Sequence, residues 1–186
     1  MLPKVLNDQG IPAVIAPLAT KMGPLWASLG RFTLVLYPFV EGHDGYEVTL
    51  WERQWGEFGQ APKRIHTATL PAELLSRIPQ ETYSPQWRES VRMSLERVES
   101  EVFNDAVAVR VAALLRTKRE VILDLVARAE RLADVLRARP PEFVLCHSDI
   151  QAGNILIDAK GNLYIIDWDN PILAPKERDL MFVGGA

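Results

Sequence analysis

Three side chains between His147 and Asp169 have the chemistry that phosphoryl transfer needs. Asp149 is a carboxylate that could orient an attacking hydroxyl and accept its proton. Asn154 follows five residues later, and Asp167 stands beyond the next apolar run. An amide oxygen and a carboxylate are hard oxygen donors of the kind Mg²⁺ takes, with phosphates and water completing its shell. Nothing in such a reaction requires a covalent intermediate with the protein, so position and charge carry most of the catalysis.

The elements around these residues are strands. Phe143-Val144-Leu145 leads into His147, Ile155-Leu156-Ile157 follows Asn154, and Tyr164-Ile165-Ile166 leads into Asp167. Each run has strand length and β-rich composition. Lys160-Gly161-Asn162 separates the last two and has the composition of a hairpin turn. The polar residues therefore stand at strand ends, where sites are commonly built. Taken singly, each has a plainer role: His147 as a core histidine, Asp149 or Asn154 as a turn former or cap, Asp167 as a strand end. Asp158 reads as a turn residue. Asp169 reads as a second metal ligand or as a solvated loop acid.

His147-Ser148-Asp149, the Asp-to-Asn spacing, the hairpin and Ile166-Asp167-Trp168 together resemble the aminoglycoside phosphotransferase (antibiotic kinase) family. That resemblance implies an α+β, protein-kinase-like fold. It implies Asp149 as the catalytic carboxylate, Asn154 and Asp167 as Mg²⁺ ligands, and ATP or GTP as phosphate donor to a small-molecule hydroxyl. His147 then supports the loop and does not react. The segment Pro175-Lys176-Glu177-Arg178-Asp179-Leu180 resembles the family's Pro-x-x-x-Asp-Leu, in which the Asp opens a helix and braces the catalytic loop. The stretch from Leu36 to Gly42 is most similar to the spectinomycin phosphotransferase branch. By the same resemblance the Pro38 carbonyl and Val40 amide face the nucleotide base, with Tyr37 behind it and Leu156 and Ile166 beneath. Pro38 has no N–H but keeps its acceptor, which suits that role. Ser148 replaces the Arg of the protein-kinase His-Arg-Asp, so an activation-loop phosphate has no Arg partner there.

The rest of the chain is expected to position this segment. Residues 1–41 read as part of a small lobe, with strands at Ala13-Val14-Ile15-Ala16 and Phe32 to Leu36, turns at Gly23-Pro24 and Ser28-Leu29-Gly30, and a hinge after them. Residues 42–186 read as a mainly helical large lobe carrying the catalytic hairpin. Leu50, Gln54, Phe58, Ala61 and Ile65 form one helical stripe, interrupted or kinked by Pro62 and capped by His66. A Pro-rich connector follows. Stripes through Trp87, Val91, Leu95, Val98 and Val102, through Val107, Val111 and Leu114, and through Ile122, Leu125, Ala129, Leu132 and Leu136 predict further amphipathic helices.

Composition narrows the class. With 48% hydrophobic and 24% charged residues the chain can build a core. Net charge is −3, and the densest basic run, Arg116-Thr117-Lys118-Arg119, is broken by Glu120, so nucleic acid is not an expected partner. No apolar run approaches the roughly 20 residues of a bilayer span, so no membrane is expected either. A single cysteine, Cys146, excludes an intrachain disulfide and suits a reducing cytoplasm. Cys146 and His147, adjacent on a strand, point to opposite faces and make a poor catalytic pair. Relative to the family pattern, no phosphate loop, no strand lysine and no partner helix glutamate is legible: Lys4 and Lys21 lack the strand context. The chain thus reads as a fragment truncated at both ends. The alternative to a kinase is a non-catalytic nucleotide-binding or scaffolding module. A metal-dependent hydrolase is disfavoured, because no second His or Glu stands at metal spacing.

Overall fold

Residues 1–183 are described, from a computed structural model. The chain divides into two compact units, one of Met1–Gln80 with the segment from Glu142 onward, the other of Glu81–Pro141. The lobe boundary expected at residue 41 falls inside the first unit.

The first unit opens with α1 (Leu2–Asp8), which carries Pro3 in its first turn, where a missing N–H costs nothing, and buries Leu2, Pro3 and Leu6. Lys4 lies on this helix and bonds Asp8 at 2.5 Å, outside any strand. The expected strand at 13–16 does not form. Ala13 makes a single link instead, its carbonyl accepting from Ile165 N at 2.8 Å, while Val14 is fully buried. The expected turn at 28–30 is a hairpin: β1 (Ala27–Leu29) pairs antiparallel with β2 (Phe32–Leu34) around Gly30 at φ +59°. Glycine supplies the left-handed conformation that a tight hairpin needs. Both strands are exposed along their length.

β3 (Gly42–Asp44) follows, then α2 (Glu52–His66) and the single turn α3 (Ala72–Leu75). The α2 stripe buries Gln54, Phe58, Ala61 and Ile65 as its spacing predicts. Pro62 does not interrupt the helix. It forgoes one backbone hydrogen bond, and burying its ring among Ala61 and Ile65 offsets that loss. β4 (Val144–Cys146) pairs antiparallel with β7 (Ile172–Ala174). β5 (Ile155–Asp158) pairs with β6 (Leu163–Ile165) on one side and with β3 on the other. Asp158 closes the β5–β6 turn as expected, its Oδ1 accepting from Lys160 N at 2.9 Å and Asn162 N at 2.8 Å. Leu6, Val14, Ile65, Ile150 and Ile165 are fully buried in the core that α1, α2 and the β5–β6 hairpin share.

The second unit is three helices: α4 (Gln86–Ser100), α5 (Ala106–Thr117) and α6 (Arg119–Ala138). Asp105 caps α5, accepting from Val107 N at 3.0 Å and Ala108 N at 2.8 Å. Arg92 on α4 bonds Glu130 on α6 at 2.7 Å. The expected stripes are buried only in part. Leu95, Val98, Ala112, Val126 and Ala133 are covered, whereas Trp87, Val102, Leu114, Leu125 and Leu132 are more than half exposed. Val102 lies beyond the end of α4, and on α6 the covered face is centred on Val126 and Ala133. Small residues let helices cross closely there, and larger neighbours are left outside.

Candidate active site

β4 delivers His147 to the interior, and a run of hydrogen bonds fixes the loop beyond it. Asp179 is the hub. Its carboxylate accepts from His147 N at 3.2 Å and Ser148 N at 2.7 Å. Asp179 is 1% exposed, and these charge-assisted bonds satisfy its buried charge. It sits fourth in the five-residue 3₁₀ turn Lys176–Leu180, not at the opening of a helix as expected. Its side chain bonds the backbone at His147 and Ser148.

His147 ties loop to hairpin. Asp149 N donates to His147 Nδ1 at 3.3 Å, so Nδ1 is the acceptor nitrogen. Nε2 therefore carries the proton and donates to Ile166 O at 2.9 Å. The ring packs edge-on against Trp168, with centroids 4.6 Å apart, and Trp168 Nε1 donates to Ile165 O at 3.0 Å. Burial pushes the His147 pKa below its usual value, against the opposing pull of the Ile166 carbonyl and nearby carboxylates. The imidazole thus bridges two backbone segments.

The hairpin brings Asn154 and Asp167 to the same end. Ile155 pairs with Ile165, and Ile166 N donates to Asn154 O at 3.0 Å, one step beyond the ladder. Asn154 is buried, and its Nδ2 donates to Asp149 O at 2.8 Å and to Asp149 Oδ2 at 3.1 Å. The amide's orientation is set by these two bonds, and its Oδ1 is left as an acceptor. Ser148 and Asp167 both have positive φ, +72° and +66°. Each such non-glycine residue costs on the order of 1–3 kcal/mol, and strain of this kind gathers at functional sites. At Ser148 the bond to Asp179 and another from Oγ to Asn170 O at 2.8 Å hold the conformation.

A cleft of about 320 Å³ opens beside Asp167. Pro38, Val40, Leu156 and Ile166 line it, with Tyr37 and Asp169 at its margin. These residues are far apart in sequence. β3 is the reason they meet: it pairs with β5 directly after residues 38–40. The approach is close, since a Cβ on Gly42 would lie 2.3 Å from Ile157 O. Burial raises the Tyr37 pKa, and the charge of Asp169 raises it further, so the two side chains face each other's field. Among the described residues, Asp149, Asn154 and Asp167 and the cleft residues are thus gathered on one side of the first unit. Asp149 is half-buried and Asp167 exposed.

His66 has a different role from the cap expected of it. It does not act as a cap: its Nε2 contacts Asp179 Oδ2 at 2.8 Å, so α2 also holds the hub of the loop. No local pattern marks that contact, because 113 residues separate the two side chains. Gln151 was also overlooked. Its Oε1 accepts from Tyr46 OH at 2.8 Å and from Gly153 N at 3.0 Å, fastening the turn before Asn154.

The model of the phosphotransferase enzyme family matches residues 3–182. The chain belongs to that family. A crystal structure of spectinomycin phosphotransferase, APH(9)-Ia, in complex with ADP and spectinomycin superposes with a TM-score of 0.89 at 37% identity, over 98% of this chain and 55% of the other. The AMP-bound complex of spectinomycin phosphotransferase gives 0.89 at 36% identity, over 99% and 58%. An aminoglycoside phosphotransferase from Alicyclobacillus acidocaldarius shares the fold, with a TM-score of 0.63 at 17% identity, over 95% of this chain and 53% of that one. No curated protein matches. The chain spans somewhat more than half the length of the spectinomycin phosphotransferase chains it resembles. Its fold is α+β and kinase-like, as the motifs imply. No helix among the described residues is long and apolar enough to cross a membrane.

Proposed function

We propose that this chain carries the catalytic loop and metal-binding end of a cytoplasmic kinase that moves the γ-phosphate of ATP or GTP to a hydroxyl of a small molecule. The observation that carries the proposal is the bond from Asn154 Nδ2 to Asp149. It fixes the Asp149 carboxylate beside the Asn154 amide, whose Oδ1 is left as an acceptor. Asp149 orients the acceptor hydroxyl and takes its proton. Asn154 Oδ1 and the Asp167 carboxylate are oxygen donors that fit Mg²⁺, which when bound neutralises charge on the phosphates. Pro38, Val40, Leu156 and Ile166 are the walls of the base pocket. His147 and Asp179 position the loop. Residues 1–41 form the small-lobe part and 42–186 the large-lobe part.

The acceptor class follows from the likeness to a structure solved with spectinomycin, so we infer an aminocyclitol or a related polyol. The test is phosphate transfer from Mg·ATP to spectinomycin by the chain and its variants. Asp149→Asn should lower turnover by about 10²–10⁴-fold while nucleotide affinity holds. Equal turnover in that variant removes Asp149 from the mechanism. Asp167→Asn should weaken Mg²⁺-dependent nucleotide binding, and unchanged binding removes its metal role. Nucleotide binding without transfer to any hydroxyl acceptor would identify a non-catalytic nucleotide-binding or scaffolding module instead.

A further inference from the structure

Behind the catalytic loop lies a second cluster with its own chemistry. Among the described residues, His66, Cys146 and Asp179 place an imidazole nitrogen, a thiol sulfur and a carboxylate oxygen all within 4.8 Å of one another. They come from three elements: the last residue of α2, the last residue of β4, and the 3₁₀ turn. Cys146 and Asp179 are buried, and the His66 side chain is 12% exposed. We propose that this cluster is a binding site for a borderline-soft divalent ion of the Zn²⁺ class.

The donor set selects the ion. Nitrogen, sulfur and one carboxylate suit Zn²⁺, whereas Mg²⁺ and Ca²⁺ take oxygen shells. Three protein ligands leave a fourth tetrahedral position for water. A cleft of about 410 Å³, lined by Val144, Lys176 and Leu180 among others, opens beside His66, the one member of the cluster that lines it. Lys63 and Lys176 in that cleft oppose an incoming cation, and Glu142 favours it.

Occupation is linked to the loss of one proton. Burial, with Asp179 nearby, pushes the Cys146 thiol up to about 12, so without metal the sulfur stays protonated. Coordination releases that proton to solvent, and thiolate, carboxylate and neutral imidazole together balance a dication. Ligation draws the three atoms together from a spread of up to 4.8 Å. His66 Nε2 and Asp179 Oδ2 stand 2.8 Å apart; for Nε2 to ligate, the imidazole carries its proton on Nδ1 and stays neutral, so the thiol proton is the one released. Two ligands each about 2.0–2.1 Å from a tetrahedral ion stand about 3.3 Å apart. The sulfur gives up weak contacts to Ala174 O at 3.6 Å and Pro175 O at 3.5 Å. Because Asp179 also holds His147 N and Ser148 N, an ion on its Oδ2 draws on the support of the catalytic loop. That consequence rests on the kinase proposal; the site itself does not.

Cys146 is the chain's single cysteine, so any thiolate-to-metal absorption reports this position alone. Co²⁺ is the probe, titrated into the 186-residue chain with absorption recorded in the near-ultraviolet and visible. One equivalent should produce a thiolate charge-transfer band and tetrahedral d–d bands, and Zn²⁺ should bleach both. Cys146→Ser should abolish the charge-transfer band, and His66→Gln should weaken binding at least tenfold with the chain folded by circular dichroism. The proposal is overturned by absence of the band in the folded wild-type chain, or by a band that His66→Gln leaves unchanged. Phosphotransfer plays no part in this readout, so its failure and that of the kinase proposal are distinguishable.

Discussion

The loop around His147 and the three helices of Glu81–Pro141 are held together differently. In the loop, four polar side chains (His66, His147, Asn154 and Asp179) are buried or nearly so, and each bonds a different segment. In the helical unit the cross-helix contacts are a few covered aliphatics and the Arg92–Glu130 pair, and valines and leucines face outward. One region is specified by bonds that tolerate no substitute. The other is specified by a pattern that many side chains could satisfy. Buried polar networks make a unique arrangement at high risk, since each member left unpaired is costly.

The largest effect that would sharpen this contrast is at the hub. Asp179→Ala leaves two backbone N–H groups and His66 without their acceptor, and should destabilise the chain by about 3–5 kcal/mol, read from urea denaturation. A loss below about 1 kcal/mol would mean that the hub carries little stability. Next comes packing. Ile165→Ala, at a fully buried position in the β5–β6 hairpin, should cost about 2–5 kcal/mol. Leu132→Ala on α6, 54% exposed, should stay within about 0.5 kcal/mol. Similar losses at both positions would erase the difference between the regions.

A smaller effect is pH-dependent. Because burial holds His147 below its ordinary value, the unfolded chain binds its proton at a higher pH than the folded chain does. The contribution is complete above the unfolded value of about 6.5 and is lost as pH falls from there toward the folded value. The midpoint temperature should therefore drop below about pH 6.5. His147→Gln should flatten that slope, and an unchanged slope would assign it to other groups. Smallest of all is a rate. Cys146, buried and protonated, should react with iodoacetamide only as fast as the chain opens, and prompt labelling in the folded state would contradict its burial.

Strand runs and turn chemistry made the hairpin legible, since periodicity and a Lys-Gly-Asn turn are local signals. The spacing of Asp149, Asn154 and Asp167 was legible because their elements are consecutive. The strand expected at 13–16 is not formed because its one backbone link to another strand is Ala13 O to Ile165 N, while Val14 O accepts from the Asn7 side chain. Pairing of that kind depends on what lies opposite, which composition does not encode. The same holds for β3, whose partner is more than a hundred residues away, and for His66, whose role exists only once the 3₁₀ turn has folded beside it. On α4–α6 the period was read correctly, but the covered face is narrower than the stripes, because three helices offer too few neighbours to bury them.

Gly42 carries a consequence for how this chain can vary. With Ile157 O where a methyl group would stand, any other residue must push β3 off β5 and carry residues 38–40 with it. The width of the cleft beside Asp167 is then set by the side chain that glycine lacks. A saturation library at position 42, selected on nucleotide retention, should return glycine almost alone, while the neighbouring exposed Glu41 should accept nearly anything.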